Sequence, residues 1–272
     1  MGQASQWSIV RIPLGGGLAP AKLDSFQARK NELAATMKMQ ANSLEEAFQQ
    51  ICAMEAPLGE RMAAFSDALR KFRAPFAEAY DALVARLKSG HAGGKAPGPG
   101  DMMPPFRLPD TRGRLVKLQD LLEAGPTVIS VNRGHWCKYC AIELTTLQQA
   151  LSEIASYGAS VVSIMPESET CTTKASDRIG NAFGILSDID NTYSLALGLT
   201  IWLGEEVRTL YQSHGLLLEQ YQGSSSWFVP IPATFVVGQD WKVLARFVDP
   251  DFRKRMEIED IIAALKSSQD RD

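Results

Sequence analysis

The sequence is short of cysteine, histidine and long apolar runs, and each shortage narrows what the chain can be. Four cysteines in 272 residues are too few for a disulfide scaffold. With three histidines and a single C-x-x-C pair, a tetrahedral zinc site lacks its second half, and neither a metal nor a cofactor is expected. No run approaches the ~20 consecutive apolar residues that span a bilayer. Residues Met1 to Val10 lack the basic and then apolar halves of a secretory signal, so the expectation is a cytoplasmic protein away from membranes. Lys and Arg number 28 against 31 Asp and Glu. That balance leaves no basic excess for gripping a phosphate backbone, and nucleic acid is not an expected partner.

What is present is enough for a core. Hydrophobic residues make up 45% of the chain and charged residues 22%, an ordinary globular mixture. Residues 20–89 repeat apolar side chains at helical spacing. Leu23, Phe26, Leu33 and Met37 share one face, and so do Leu44, Phe48 and Ile51. Met62, Phe65, Leu69 and Phe72 follow, and Pro75 interrupts before Phe76, Tyr80, Leu83 and Leu87 resume. Three or four amphipathic helices follow from this pattern. Residues 90–105 are dense in Gly and Pro and read as a linker. The chain therefore divides into a helical extension, residues 1–96, and a second domain, residues 97–272. Unpartnered amphipathic helices need a covering surface, which makes a homodimer through the extension an expectation.

Beyond the linker the pattern changes to alternating strands and helices. Thr127–Val131 is an apolar β-branched run, as expected for a buried parallel strand. A helix is read over Cys137–Ala155, a strand over Ser160–Ile164, a helix near Ser168–Ile179 and a short strand at Phe183–Leu186. Residues 191–213 read as helical and 214–229 as irregular. Ala233–Val237 and Lys242–Val248 form a hairpin, and Glu257–Lys266 is the last helix. This order describes an α/β sandwich with a central mixed sheet, preceded by an α-helical segment.

The chemistry gathers at one strand-to-helix turn, Cys137-Lys-Tyr-Cys140. A helix N-terminus presents unpaired N–H groups and a positive dipole end, which favour thiolate over thiol. Two cysteines on one first turn can close a small disulfide ring, one attacking and one resolving. Arg133 and Lys138 are cations that would further favour the thiolate, and the Lys138 charge is expected to make the site more oxidising. Arg133 could equally pair with an acid such as Asp249. Trp136 is expected to shield the pair from water. Glu143 lies three residues after Cys140, in the first helical turn. Pro232, directly before an apolar strand, reads as a rigid turn with a cis Ile231–Pro232 bond. Cys52 and Cys171 read as unreactive.

Three separated motifs resemble one family. Gly100-Asp-Met-Met-Pro-Pro-Phe-Arg-Leu-Pro-Asp110 looks like the opening of peroxiredoxin (AhpC/TSA-type) domains. Arg133-Gly-His-Trp-Cys-Lys-Tyr-Cys140 is similar to the Arg-Gly-x-Trp-Cys-Pro-Tyr-Cys signature of a peroxiredoxin-like subgroup, with Lys138 in place of its proline. Ile231–Val237 and Val248-Asp-Pro-Asp251 also match that subgroup. The resemblance implies a thioredoxin-like fold and a thiol-dependent oxidoreductase with catalytic Cys137 and Cys140, supported by Arg133, Trp136, Glu143 and Pro232. Its substrate would be a peroxide or a disulfide, and its reductant an external thioredoxin- or glutaredoxin-like dithiol. Cys140 aligns with the attacking cysteine of peroxiredoxins and is the expected nucleophile for peroxide. Cys137, at the helix tip, is the expected nucleophile for a protein disulfide. The arginine that peroxiredoxins place before the later strand aligns with Pro232. Disulfide exchange without peroxidase activity and a non-catalytic interaction protein are the competing readings.

Overall fold

The computed structural model describes residues 41–269; the helical periodicity read over residues 23–37 lies outside them. Three helices come first: α1 (Leu44–Cys52), α2 (Leu58–Phe72) and α3 (Ala74–Ser89). The Ser43 hydroxyl caps α1 by accepting the Glu46 N–H at 3.1 Å, and the Glu46 carboxylate accepts the Asn42 N–H at 2.9 Å. Two orphan donors are thereby satisfied. Pro75 lies in the first turn of α3, where its missing N–H costs nothing. The apolar stripes of α1 and α2, including Phe48, Ile51, Met62, Phe65 and Leu69, are buried within this same chain. These two stripes therefore need no second copy to cover them.

The Gly/Pro stretch read as a linker does more than connect. The Gly100 N–H donates to the Val243 carbonyl, and the Met103 N–H to that of Trp241, both at 2.8 Å. The segment therefore lies along the last strand of the sheet and satisfies backbone groups an open edge would expose.

The rest follows in the order β1 (Arg107–Pro109), β2 (Leu115–Lys117), α4 (Leu118–Ala124), β3 (Thr127–Val131), α5 (Lys138–Gln149), α6 (Leu151–Ser156), β4 (Ser160–Met165), α7 (Glu169–Arg178), β5 (Gly184–Ser187), α8 (Thr192–Ala196), β6 (Thr200–Trp202), α9 (Glu205–Ser213), α10 (Glu219–Gln222), β7 (Phe228–Pro230), β8 (Ala233–Val237), β9 (Val243–Val248) and α11 (Ile258–Gln269). The main sheet runs β5-β4-β3-β8-β9. β3, β4 and β5 are parallel, β8 is antiparallel to β3, and β9 is antiparallel to β8. This is the mixed α/β sheet expected from the sequence.

Two short pairings escaped the pattern. β1 pairs with β2, and β6 with β7. Each strand is three residues long, less than the four needed to show alternation. The helix read as continuous over Cys137–Ala155 breaks at Ala150. Thr145 and Thr146 bond back to the carbonyls of Ala141 and Ile142, both at 2.9 Å, a contact that weakens and bends helices.

Period-two alternation along β3 sets up the site. Ile129 and Val131 enter one core layer with Phe235 and Ile164. Val128 enters the other with Leu144 and Leu147 of α5. Ser130 shares the Val128 face and so points at α5.

Candidate active site

Asn132 to Trp136 link the end of β3 to α5, and Cys137 is the N-cap residue of that helix. Gly134 has φ of 138°, and a Cβ there would come within 2.6 Å of Glu167 Oε1. Only glycine lets the loop pass this close. Glu167, fully buried, then holds the loop by accepting the His135 N–H and contacting His135 Nδ1, each at 2.9 Å. His135 is thus engaged with an acid. Among the described residues, no three His, Cys, Asp or Glu side chains gather as a metal-ligand set.

The two cysteines differ sharply. Both are free thiols and both are buried. Cys137 is 4% exposed and lines a cavity of about 310 Å³. Cys140 is fully buried beneath it. Burial opposes a thiolate at Cys137, but the Cys140 thiol and the guanidinium groups of Arg133 and Arg255 outweigh it and bring its pKa down to about 6. Burial pushes Cys140 well above its ordinary value, and the neighbouring Cys137 pushes it further in the same direction. Of the pair, Cys137 is the one that borders the cavity and is held toward its thiolate, whereas alignment makes Cys140 the expected nucleophile for peroxide.

Arg133 is 1% exposed. It donates to the Tyr211 hydroxyl at 3.1 Å and stacks over Phe252 (4.2 Å) and Trp136 (5.0 Å). Among the described residues it has no carboxylate partner. Asp249, the acid considered for it, is instead bonded to Lys254 and to the Asp251 N–H. A buried cation without an acid is costly, and a thiolate beside it supplies the missing charge. Tyr211 is bonded in turn to the Tyr80 hydroxyl of α3 at 2.7 Å. Trp136, also on the cavity wall, packs edge-on to Tyr211 at 5.7 Å.

Lys138 does not act as expected. Its ammonium pairs with Glu45 of α1 at 2.8 Å and lies 4.1 Å over the Phe48 ring. The charge that was to make the site more oxidising is neutralised by that acid. Lys138→Ala should therefore move the pH midpoint of Cys137 alkylation by no more than roughly 0.3 units, in keeping with the small worth of an exposed pair. A drop in alkylation rate at neutral pH as large as that from changing Arg133 would contradict this assignment. Tyr139 also faces the helices, its hydroxyl 3.0 Å from Ser66 and its ring edge-on to Phe65 at 4.9 Å. The two residues between the cysteines thus dock the motif onto α1 and α2.

Glu143 is 1% exposed. It accepts from Ser130 at 2.9 Å, from Thr234 of β8 at 3.2 Å, and from Arg255. Arg255 also reaches Cys140 Sγ at 3.5 Å, and the Arg133 N–H reaches the same sulfur at 3.4 Å. Sequence reasoning missed Arg255. It follows the Val248-Asp-Pro-Asp251 motif by four residues, and no local pattern marks it as facing a cysteine 115 positions away. Arg255 thus brings a guanidinium to the Cys140 sulfur from beyond β9. Pro232 is buried directly before β8, at the end of the sheet where Ala233 pairs with Val131. The expected cis bond is not found: among the described residues every peptide bond is trans. The Ile231 N–H is bonded to the Leu199 carbonyl at 2.8 Å, and β7 leads into β8 without needing the costlier isomer.

Comparison with known proteins agrees with this architecture. The family model described as the AhpC/TSA family matches residues 99–246. No curated protein matches the chain. Among solved structures, a cysteine-to-serine mutant of peroxiredoxin 6 of Arenicola marina is 16% identical, covering 63% of this chain and 73% of that one with a TM-score of 0.51. Peroxidoxin BcpB from Mycobacterium tuberculosis is 22% identical over 63% of this chain and 97% of that one, with a TM-score of 0.49. Peroxiredoxin Q of Xanthomonas campestris is 18% identical over 60% and 90%, with a TM-score of 0.45. No helix among the described residues is long and apolar enough to cross a membrane.

Proposed function

The chain belongs to the AhpC/TSA family, and from that premise we propose that it reduces peroxides through a Cys137–Cys140 dithiol cycle. The observation behind this reading is the Cys137 thiolate, stabilised beside the carboxylate-free Arg133 and bordering a half-open cavity. A hydroperoxide can enter a space of about 310 Å³. A folded protein disulfide would have to bring two chains to a sulfur that is almost wholly covered, so disulfide exchange takes second place.

The steps balance as follows. The Cys137 thiolate attacks the terminal peroxide oxygen, an S–O bond forms, the O–O bond breaks, and an alkoxide or hydroxide leaves and takes a proton. Arg133 remains beside the negative charge as it passes from sulfur to oxygen. The Cys140 thiol then attacks the Cys137 sulfenic sulfur, forming the disulfide and releasing water. An external dithiol, thioredoxin- or glutaredoxin-like, reduces that disulfide and is itself oxidised. The net change is one hydroperoxide and one dithiol to one alcohol, one water and one disulfide.

The test follows peroxide loss and free thiols in the reduced protein. The unaltered chain should lose both motif thiols and turn over peroxide when dithiol is supplied. Cys137→Ala should abolish the reaction. Cys140→Ala should permit a single stoichiometric oxidation of Cys137 and no disulfide. Peroxide turnover surviving Cys137→Ala, or fast insulin reduction without peroxide turnover, would overturn the proposal.

A further inference from the structure

The cavity over Cys137 is larger and more apolar than hydrogen peroxide requires. Its walls include Phe65 and Leu69 of α2, Phe76 of α3, Trp136, Tyr211 and Leu216. The helices before residue 90 thus build one side of the site. Apolar walls of this kind fit an organic body rather than a small polar oxidant.

The charged lining has one sign. Arg73, at the junction of α2 and α3, and Lys138 both border the cavity, and no Asp or Glu lines it. Lys138 is already paired with Glu45. Arg73 is not paired with any acid among the described residues; its guanidinium meets only the Phe72 carbonyl, at 3.5 Å. Asp81 of α3 is already held by Arg70 and Arg253, each at 2.6 Å. An aromatic chamber thus has a reactive thiolate at its floor and an unpaired guanidinium on its wall.

We propose that the preferred substrate is an organic hydroperoxide with an aromatic or compact apolar body and a carboxylate, the carboxylate received by Arg73. This rests on the peroxidase reading above. The guanidinium fork matches a carboxylate in two parallel hydrogen bonds. Because Arg73 is exposed at the surface, the preference it confers should be about fivefold and should weaken with salt.

The test compares kcat/KM for cumene hydroperoxide with that for its para-carboxylate derivative, in the full chain and in Arg73→Gln. The unaltered protein should favour the carboxylate about fivefold at low salt, and Arg73→Gln should bring the ratio close to one. Arg73→Lys, which keeps the charge without the fork, should retain part of the preference. A ratio near one in the unaltered protein, with hydroperoxide turnover intact, overturns the substrate assignment and leaves the peroxidase reading standing. A separate measurement does not depend on turnover: para-isopropylbenzoate should slow alkylation of Cys137 by iodoacetamide, neutral 2-phenylpropan-2-ol should do so less, and Arg73→Gln should remove the difference. Protection with that pattern, in a protein that reduces no hydroperoxide, would support the anion site while sinking the reaction. Equal protection by the two compounds would overturn the site itself.

Discussion

Arg133→Leu should cost up to about thirtyfold in the rate at which Cys137 reacts at pH 7. The argument is one of charge. Cys137 is buried, and burial alone pushes a thiol upward. It stands at about 6 because the Cys140 thiol, Arg133 and Arg255 together more than offset that burial. Without Arg133, the larger of the two charges acting on it, the value should rise toward the ordinary 8.5. The thiolate share at pH 7 then falls from about nine tenths toward about three hundredths. The lowered pKa means that the unaltered protein keeps its thiolate above about pH 6 and loses it as pH falls through that value. The variant should need a pH nearer to about 8.5 for the same state. Alkylation rate against pH, read beside ultraviolet thiolate absorbance, gives both midpoints. The disulfide should respond as well. At pH 7 the reduced state loses up to roughly tenfold of its stabilisation, which lowers the reduction potential by up to about 30 mV. Arg133→Lys, which keeps a charge without the fork, should fall between the two. An unchanged midpoint in Arg133→Leu would remove Arg133 from the mechanism and return its role to packing against Phe252 and Trp136.

How much of this could be read from the chain depended on how local the cause was. The β3 strand, the turn after it and the cysteine at the tip of α5 were legible, because a β-branched run, a glycine turn and a helical apolar stripe are all short-range patterns. Trp136 was read as cover for the pair from its adjacency in sequence, and it lines the cavity beside Cys137. Lys138 was misread because its partner, Glu45, lies 93 residues earlier. Proximity in sequence placed the charge near the sulfur, whereas the side chain runs toward α1. Which cysteine faces the substrate space was equally non-local: alignment placed Cys140 in the nucleophile's slot, and only the fold shows that Cys137 borders the cavity while Cys140 is fully buried. Tyr80, Tyr211 and Arg73 gave no signal, because helical stripes read as packing. They came to line the cavity when α2, α3 and α9 packed around Cys137. The extension was legible as helices but not as a wall of the active site.

Removing one member of the Glu143–Arg255 pair should have the largest effect on stability. The side chains of Arg255 and Glu143 are 1% and 2% exposed. Neither charge can be left alone there: breaking a buried pair from one side costs about 3–5 kcal/mol, because the partner stays desolvated and uncompensated. Arg255→Met would leave Glu143 with only the hydroxyl groups of Ser130 and Thr234. At about 2–4 °C per kcal/mol for a chain of this size, Tm should fall by roughly 6–20 °C. Glu143→Leu should do comparable harm by orphaning Arg255. The double substitution is the informative one. It removes both charges together, leaving Ser130 and Thr234 short of an acceptor at about 1 kcal/mol each. It should therefore be more stable than Arg255→Met alone, a coupling that a cycle of the four proteins measures directly. The pair also touches the chemistry, since Arg255 reaches Cys140 Sγ. The double variant should alkylate at Cys137 more slowly than the unaltered protein at neutral pH, because the Arg255 charge that helps hold the thiolate is gone, but faster than Arg133→Leu, and it should close the Cys137–Cys140 disulfide more slowly after oxidation. A double variant as unstable as its worse single would show that Glu143 and Arg255 act through their separate neighbours rather than through each other.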